Sequence, residues 1–432
     1  MSKYKQLLSE INAGAYDETF AKLYSTKQDI VLQQRKRYSD AVEEFVGLYG
    51  DSKDLSLYSA PGRTEIGGNH TDHNNGIVMA AAVNLDIIAV VAKNDENIAR
   101  LKSFGFANTD VVELEQLKPI DKEYGRSASL LRGMAAGIVK QGGKIGGFDA
   151  YTTSDVLRGS GLSSSAAFEV IIGQIFNGEY NNNFFDAVEI AKISQYAENV
   201  FFNKPSGLMD QTACAVGSAM TIDFKDSKNP IVNEVPFNLD KHGFALCITD
   251  TKGSHADLTD DYTAIRREME NVAQHFGKTV LREVNEEEFY SCIPQIRSKY
   301  GDRAVLRAIH FFNDCKRALQ LCEAIKQDDF ERFLSLIITG GHSSFEYNQN
   351  AYSISKPTEQ GVALGCALSE RVLAGCGAWR LQGGGFAGTI QAFVPYNKLS
   401  EYCNTLNNVF GDDACHVLSV RNYGAISVEK SL

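Results

Sequence analysis

The sequence predicts a protein of mixed α and β structure, and three observations predict it. Apolar runs, some alternating with polar residues and some continuous, recur along the chain. Segments with helical spacing lie between them, and polar stretches rich in glycine separate the two kinds. The 432 residues are 44% hydrophobic and 22% charged, a folded composition with length enough for two domains. The net charge of −11 argues against nucleic acid or an anionic membrane as partner. No apolar run approaches the ~20 residues of a membrane span. The first residues, MSKYKQLLSEINAG, are polar with no apolar signal core, so a cytoplasmic location is expected.

In chain order, residues 1–48 read as a helical extension, and LSLYSAPGRTEIGG reads as extended. IVMAAAVNLDIIAVVAKND has the runs of paired strands. SASLLRGMAAGIVKQGG is a helix closed by glycines, and GFDAYTTSDV is a strand. SSSAAFEVIIGQIFNGEY and FFDAVEIAKISQYAENVFF are amphipathic helices. SAMTIDF and FALCITDT are strands, after which the chain is mostly helical as far as Gly375. GTIQAFVP and HVLSVRNYGAISV are two final strands around one helix. The polar stretch DSKNPIVNEV is the expected boundary, giving segments 1–48, 49–235 and 236–432.

Nine cysteines fall between Cys214 and Cys415, none in a CxxC pair or a Cys/His pattern with zinc spacing. They are expected to be buried, reduced thiols. The sequon Asn69-His70-Thr71 carries no weight in a chain read as cytoplasmic.

Four stretches hold the chemistry. GRTEIGGNHTDHNNG (62–76) has one apolar residue, Ile66, among many hydrogen-bonding groups, so a core strand is not expected there. In LRGSGLSSSAAFEV (157–170) a strand meets glycines and then serines that open a helix. Glycines let backbone approach a ligand, and free N–H groups at a helix start favour an anion such as a nucleotide phosphate. The bland alternative is that Ser163, Ser164 and Ser165 merely cap the helix. Neither GxxxxGK[ST] nor GxGxxG is present, and Ser164 stands where the third glycine would be. NKPSGLMDQTACAVG (203–217) sets Asp210 in an apolar surround, where a carboxylate can orient and deprotonate a hydroxyl, or else simply cap a turn. GAWRLQGGGFAGTIQAFV (377–394) places three glycines before a strand.

Together and in this order, the four stretches resemble the GHMP kinase superfamily and, within it, the galactokinases. APGRTEIGGNHTDHNNG is similar to the galactokinase signature, GSGLSSSAA matches the phosphate-binding motif, SGLMDQ resembles Cys–Gly–Ile–Met–Asp–Gln, and RLQGGGFAGT resembles the C-terminal glycine motif. The resemblance spans residues 50 to 430. It implies a two-lobed α+β fold, with an N-terminal lobe like ribosomal protein S5 domain 2, a ferredoxin-like C-terminal lobe, and the site between them. It implies ATP-dependent phosphorylation of the anomeric hydroxyl of galactose. Asp210 would be the catalytic carboxylate, with Arg63 countering the developing charge. The sugar would meet Asn69, His70, Asp72, the backbone of Gly207, and Tyr262 in LTDDYTAIRREME. Gly159, Ser160, Gly161, Leu162, Ser163, Ser164, Ser165 and Ala166 would hold ATP, and Ser165 and Glu198 would ligate Mg2+. The implied partners are a small sugar and ATP, with neither nucleic acid nor membrane.

The chain departs from the family pattern at several places. Asn69 stands for the glutamate that faces the sugar's C6 hydroxyl, and Glu65 for an asparagine four residues earlier. His73 replaces a tyrosine, and Leu157-Arg158 a more apolar pair. An amide at Asn69 would tolerate a C6 carboxylate that a glutamate repels, so galacturonate or N-acetylgalactosamine are alternative substrates. A non-catalytic galactose sensor is the alternative of a different class, and the complete GLSSSAA, Arg63 and Asp210 favour the enzyme.

Overall fold

The computed structural model describes residues 3–51, 53–156, 161–204, 206–253 and 258–432. Two sheets organise these residues, one of eight strands and one of four.

The 17-residue strand Ile77–Lys93 is the spine of the larger sheet. Strand Ser56–Gly67 runs antiparallel along one edge of it. Along the other edge lie first Ala219–Asp223 and then Phe148–Ser154. The stretch expected to be paired strands is thus one strand, long enough to take two partners end to end on one side. It is apolar almost throughout because both faces are covered, the pattern of a sheet buried between helical layers. Helices Ser127–Lys140, Ser164–Asn181, Ala187–Tyr196 and Met209–Val216 build the core on one face. On the other, the N-terminal helices Lys3–Asn12, Asp17–Leu23 and Gln28–Tyr49 bring Val31, Tyr38, Val42 and Phe45 against Leu57, Ile88, Val90 and Tyr151.

Two strands of this sheet, Ile98–Ser103 and Thr109–Glu113, have no counterpart in the sequence reading. Their polar residues at a half-covered sheet edge leave too weak an apolar alternation to read. Strand Ile231–Val235 pairs with Ala219–Asp223, so the polar stretch 226–235 is the turn and second strand of a hairpin, after which the chain passes to the smaller sheet.

The smaller sheet orders strands Cys415–Leu418, Phe244–Asp250, Thr389–Pro395 and Ala378–Leu381, all antiparallel. Helices Gly361–Leu373 and Leu399–Phe410 cover one face of it. Helices Asp302–Lys326 and Phe330–Ser343 pack on each other, the first against the spine strand and the second against Ala378–Leu381, so this pair bridges the two sheets. HVLSVRNYGAISV is not one strand. Its first residues join the smaller sheet, and Ile426–Ser427 return to pair with Ser56–Gly67. Among the described residues, no helix is long and apolar enough to cross a membrane.

Candidate active site

Gly62–Gly67, expected to lie outside any core strand, is the end of the buried strand Ser56–Gly67. Its polar residues are tolerated inside because each is paired, which removes the cost of burying them. Thr64 Oγ1 accepts from Gln391 Nε2 at 2.6 Å and donates to Gln382 Oε1. Glu65 accepts from Arg380 Nη2 at 2.8 Å. The pairing partners lie hundreds of residues away, so local periodicity could not reveal them.

Arg63 Nε donates to Asp210 Oδ1 at 2.8 Å, and Arg63 Nη1 donates to the Gly161 carbonyl. The other carboxylate oxygen, Asp210 Oδ2, accepts from the Ser163 hydroxyl. Gly62 permits this approach of strand to glycine turn: a Cβ there would sit 2.9 Å from the Leu162 carbonyl and 3.0 Å from Val156. Burial raises the Asp210 carboxyl, but Arg63, Ser163 and the charge of Lys204 outweigh it and leave the group below its usual range. Asp210 is therefore ionised at neutral pH, with 35% of its side chain still exposed toward the cleft.

The serines do not cap the helix in the ordinary way. Ser163 adopts a left-handed backbone (φ +57°) at the N-cap of Ser164–Asn181 with no side-chain capping bond, and its hydroxyl is used on Asp210 instead. Gly159 and Ser160, with Leu157 and Arg158, lie outside the described residues. Gly161, Leu162, Ser164, Ser165 and Ala166 form the turn and first helical residues.

Ser164 and Ser165 open onto a cleft of about 960 Å³ whose far wall includes Ser103, Phe104, Asn108 and Phe202. Phe104 is 69% exposed there. The sequence reading missed this wall; an aromatic pair in the polar segment SFGFAN was the available signal. Flat exposed rings beside a helix N-terminus suit a base-bearing phosphate ligand.

His70, at φ +60°, places Nε2 3.0 Å from the Gly384 carbonyl. Burial above all, with help from His73, pushes the His70 imidazole down to about 3, so it is neutral and its ring N–H serves that carbonyl. Asp72 Oδ1 accepts from the His73 amide at 2.9 Å. Gly207 runs so close to Asp72 that a Cβ would lie 2.2 Å from Oδ2. Tyr262 donates to the Gly385 carbonyl at 3.1 Å and packs edge-on to Phe386. Gly384 must lack a side chain, since a Cβ would sit 2.5 Å from the Tyr262 ring. The glycine turn 383–385 is therefore the seam where residues 69–72 and Tyr262 meet.

Asn69, expected on the sugar wall, is fully buried. Its Nδ2 donates to Glu65 Oε1 at 3.0 Å and to the Gly383 carbonyl at 2.7 Å, and its Oδ1 accepts from Asn350 Nδ2 at 2.9 Å. No donor is left over for a ligand, so Asn69 shapes the wall from behind. Glu65, the other half of the exchanged pair, is its direct partner. Burial pushes Glu65 up to about 7 against the pull of Arg380 and Arg63, so both of its forms are populated near neutrality.

Glu198 lies in a single π-helical turn, Ala197–Phe201, a form of backbone frequent at functional sites. Its Oε1 accepts from Lys204 Nζ and its Oε2 from Gln211 Nε2, at 2.7 and 2.8 Å. Gln211 also donates to Glu169 Oε2 at 3.3 Å, tying the helix that begins at Ser164 to the residue after Asp210. Burial, then the Glu198 charge, push Glu169 well above its usual range. Glu169 and Lys204 went unread in the sequence, because each looked like an ordinary helix or loop residue, and Gln211 appeared only as the last letter of SGLMDQ.

The galactokinase galactose-binding signature matches residues 43–93, and the GHMP kinases N terminal domain matches residues 129–218. A galactokinase of Actinobacillus pleuropneumoniae serotype 5b is 31% identical over 362 residues, 83% of this chain and 90% of the relative. One from Streptomyces coelicolor is 31% identical over 360 residues, 82% of this chain and 87% of the relative. The crystal structure of Lactococcus lactis galactokinase complexed with galactose superposes with a TM-score of 0.76 at 22% identity, over 90% of this chain and 99% of that one. Methanococcus jannaschii mevalonate kinase gives 0.60 at 14% identity, over 85% and 98%. The chain belongs to the galactokinase family of the GHMP kinases.

Proposed function

We propose that this chain transfers the γ-phosphoryl group of ATP to the anomeric C1 hydroxyl of galactose. The observation that carries the reading is Asp210, held ionised by Arg63 Nε at 2.8 Å and by Ser163, at the junction of the glycine turn and the His70–Asp72 wall. Asp210 accepts the proton of the C1 hydroxyl as its oxygen attacks the γ-phosphorus. Because this carboxylate sits below its usual range it is a weak base, and proton transfer late in a loose transition state suits it. Arg63 faces the charge that builds at the attacking oxygen. His70, Asp72, the Gly207 backbone and Tyr262 hold the sugar hydroxyls. Gly161 to Ala166 line the phosphates, and the base occupies the cleft beside Phe104.

Ser165 and Glu198 are proposed to hold magnesium. Both offer oxygen, the donor this ion takes, and the ion supplies charge neutralisation on the transferring phosphates. Lys204, 57% exposed, now neutralises Glu198 and is free to move aside. Ser165→Ala and Glu198→Gln are each expected to raise the Mg2+ midpoint of activity ~10-fold. Unchanged titrations in both would assign the metal elsewhere.

Galactose is expected to lead the substrates. The buried Asn69–Glu65 pair supports a compensatory exchange, a carboxylate and an amide bonded to each other with their order reversed, and so a pocket not widened at C6. Release of ADP with galactose, galacturonate, N-acetylgalactosamine or no sugar tests this. Galactose should stand well above the other three. Equal ADP release with and without galactose would leave only a binding protein.

A further inference from the structure

Three cysteines far apart in sequence meet in the smaller sheet, well away from the chemistry described above. Cys247 lies on strand Phe244–Asp250, Cys415 on the neighbouring strand Cys415–Leu418, and Cys403 on helix Leu399–Phe410. Their sulfurs all lie within 4.8 Å of one another, and Cys403 Sγ is 3.6 Å from Cys415 Sγ. The fold dictates the meeting. Cys247 and Thr249 share one face of their strand, as alternate residues must. Cys415 pairs in register with Thr249, and the helix carrying Cys403 lies over that face.

The spacing is that of ligands. Three sulfurs around one ion at ~2.3 Å stand ~3.8–4.0 Å apart, so closing this triangle takes only rotamer-scale shifts. Cys247 is fully buried and Cys415 is 9% exposed, while Cys403 is half-buried and gives an ion a way in. The surrounding groups also fit. The Thr249 hydroxyl is fully buried and lies between the Cys415 thiol and the Tyr402 hydroxyl, within reach to donate to a thiolate. The Cys415 amide donates to Asn407 Oδ1 at 2.8 Å, which fixes strand to helix at the site.

We propose that Cys247, Cys403 and Cys415 form a binding site for a thiophilic d10 cation, Zn2+ or Cu+. On binding, three S–H bonds give way to three metal–sulfur bonds and the three protons pass to solvent. No oxidant is needed, whereas a disulfide would require one and would leave the third sulfur unused. A bound ion clamps helix Leu399–Phe410 onto strand Phe244–Asp250. That strand leads directly to Thr251, whose hydroxyl holds the Gly388 carbonyl at 2.7 Å below the glycine turn.

Cd2+, a spectroscopic stand-in for Zn2+, tests the site. The full chain, stripped with a chelator and kept reduced by a phosphine, is titrated and followed by the ultraviolet thiolate-to-metal charge-transfer band. The band should saturate at one ion per chain. It should weaken at least 10-fold in affinity in Cys403→Ser and in Cys415→Ser, and persist in Cys376→Ser, an exposed thiol outside the cluster. Thermal midpoints without metal verify that each variant folds, and Cys403→Ala replaces Cys403→Ser if the latter does not. Absence of the band, its survival in a folded Cys403 variant, or a Cys403–Cys415 disulfide with no band after reduction would overturn the proposal.

Discussion

His70 shows how much a single side chain can be altered by its place. Its imidazole ordinarily titrates near 6.5 and here is pushed down to about 3, mainly by burial. Between those values the unfolded chain binds a proton that the folded one does not. Stability must therefore fall as pH drops from 6.5 toward 3, by up to about 1.4 kcal/mol per pH unit from this one group. Urea unfolding at pH 7, 6 and 5 should show a shallower loss in His70→Gln than in the wild-type chain. Equal slopes would mean that the buried imidazole takes up its proton as readily as in water.

Asp72 and Gly207 carry a second expectation at this scale. In Gly207→Ala the new Cβ meets the Asp72 carboxylate at 2.2 Å, and a short side chain can swing away without unfolding the protein. Losing one charged sugar contact costs about 1.5 kcal/mol, or ~10-fold in KM for galactose, with kcat largely kept. A normal KM would remove Asp72 from the sugar wall. The glycine-bearing stretches of the sequence single out Arg63, His70, Asp72 and Asp210, whereas Tyr262 lies outside them and was assigned only through the resemblance of LTDDYTAIRREME. Residue role was less legible. Ser163, read as a phosphate contact or a helix cap, bonds Asp210, and Asn69, read as a sugar contact, is buried. Neither partner could be read locally, because a polar residue's partner is set by tertiary contacts.

Among the elements, the N-terminal helices are bound to the sheet by charge as well as by apolar area. Fully buried Asp86 accepts from Arg37 Nη1 at 2.6 Å, from Tyr24 at 2.6 Å and from Arg421 Nη1 at 3.0 Å. One carboxylate thus joins helix Gln28–Tyr49, the spine strand and the C-terminal tail. Arg37 also reaches Asp155, just before the phosphate turn, at 3.1 Å. Asp86→Asn would leave two guanidinium groups facing a neutral amide in the interior, a change that costs about 3–5 kcal/mol. A drop of that size in denaturant unfolding should be measured, and a loss under 1 kcal/mol would show that the tail and helices are held by apolar contact alone. Helices were legible from their periodicity, but the extent of the long strands was not: the spine strand read as a pair, and the end of Ser56–Gly67 as no core strand. Nor were the edge strands and the split of the last segment between two sheets, because a strand's partners are absent from its own sequence.

At the scale of the whole molecule, the site lies where the two sheets meet. The strand ending at Gly67 and the helix beginning at Ser164 come from the first sheet's layer, and the glycine turn 383–385 comes from the second. Gln391 and Arg380 of the smaller sheet bond Glu65 of the larger, so the two sheets are joined through the buried strand that carries Arg63. In the proposed reaction this arrangement sets one ionised carboxylate between the sugar and the phosphates. Its direct test is phosphorus-31 NMR of the products formed from galactose, ATP and Mg2+, with the wild-type chain and with Asp210→Asn. The account predicts galactose 1-phosphate as the sugar product. It also predicts that Asp210→Asn, folded and still binding galactose and nucleotide, forms it at least ~10²-fold more slowly, the scale of losing a positioned proton acceptor. Phosphate appearing at another hydroxyl, or near-normal turnover in Asp210→Asn, would contradict it.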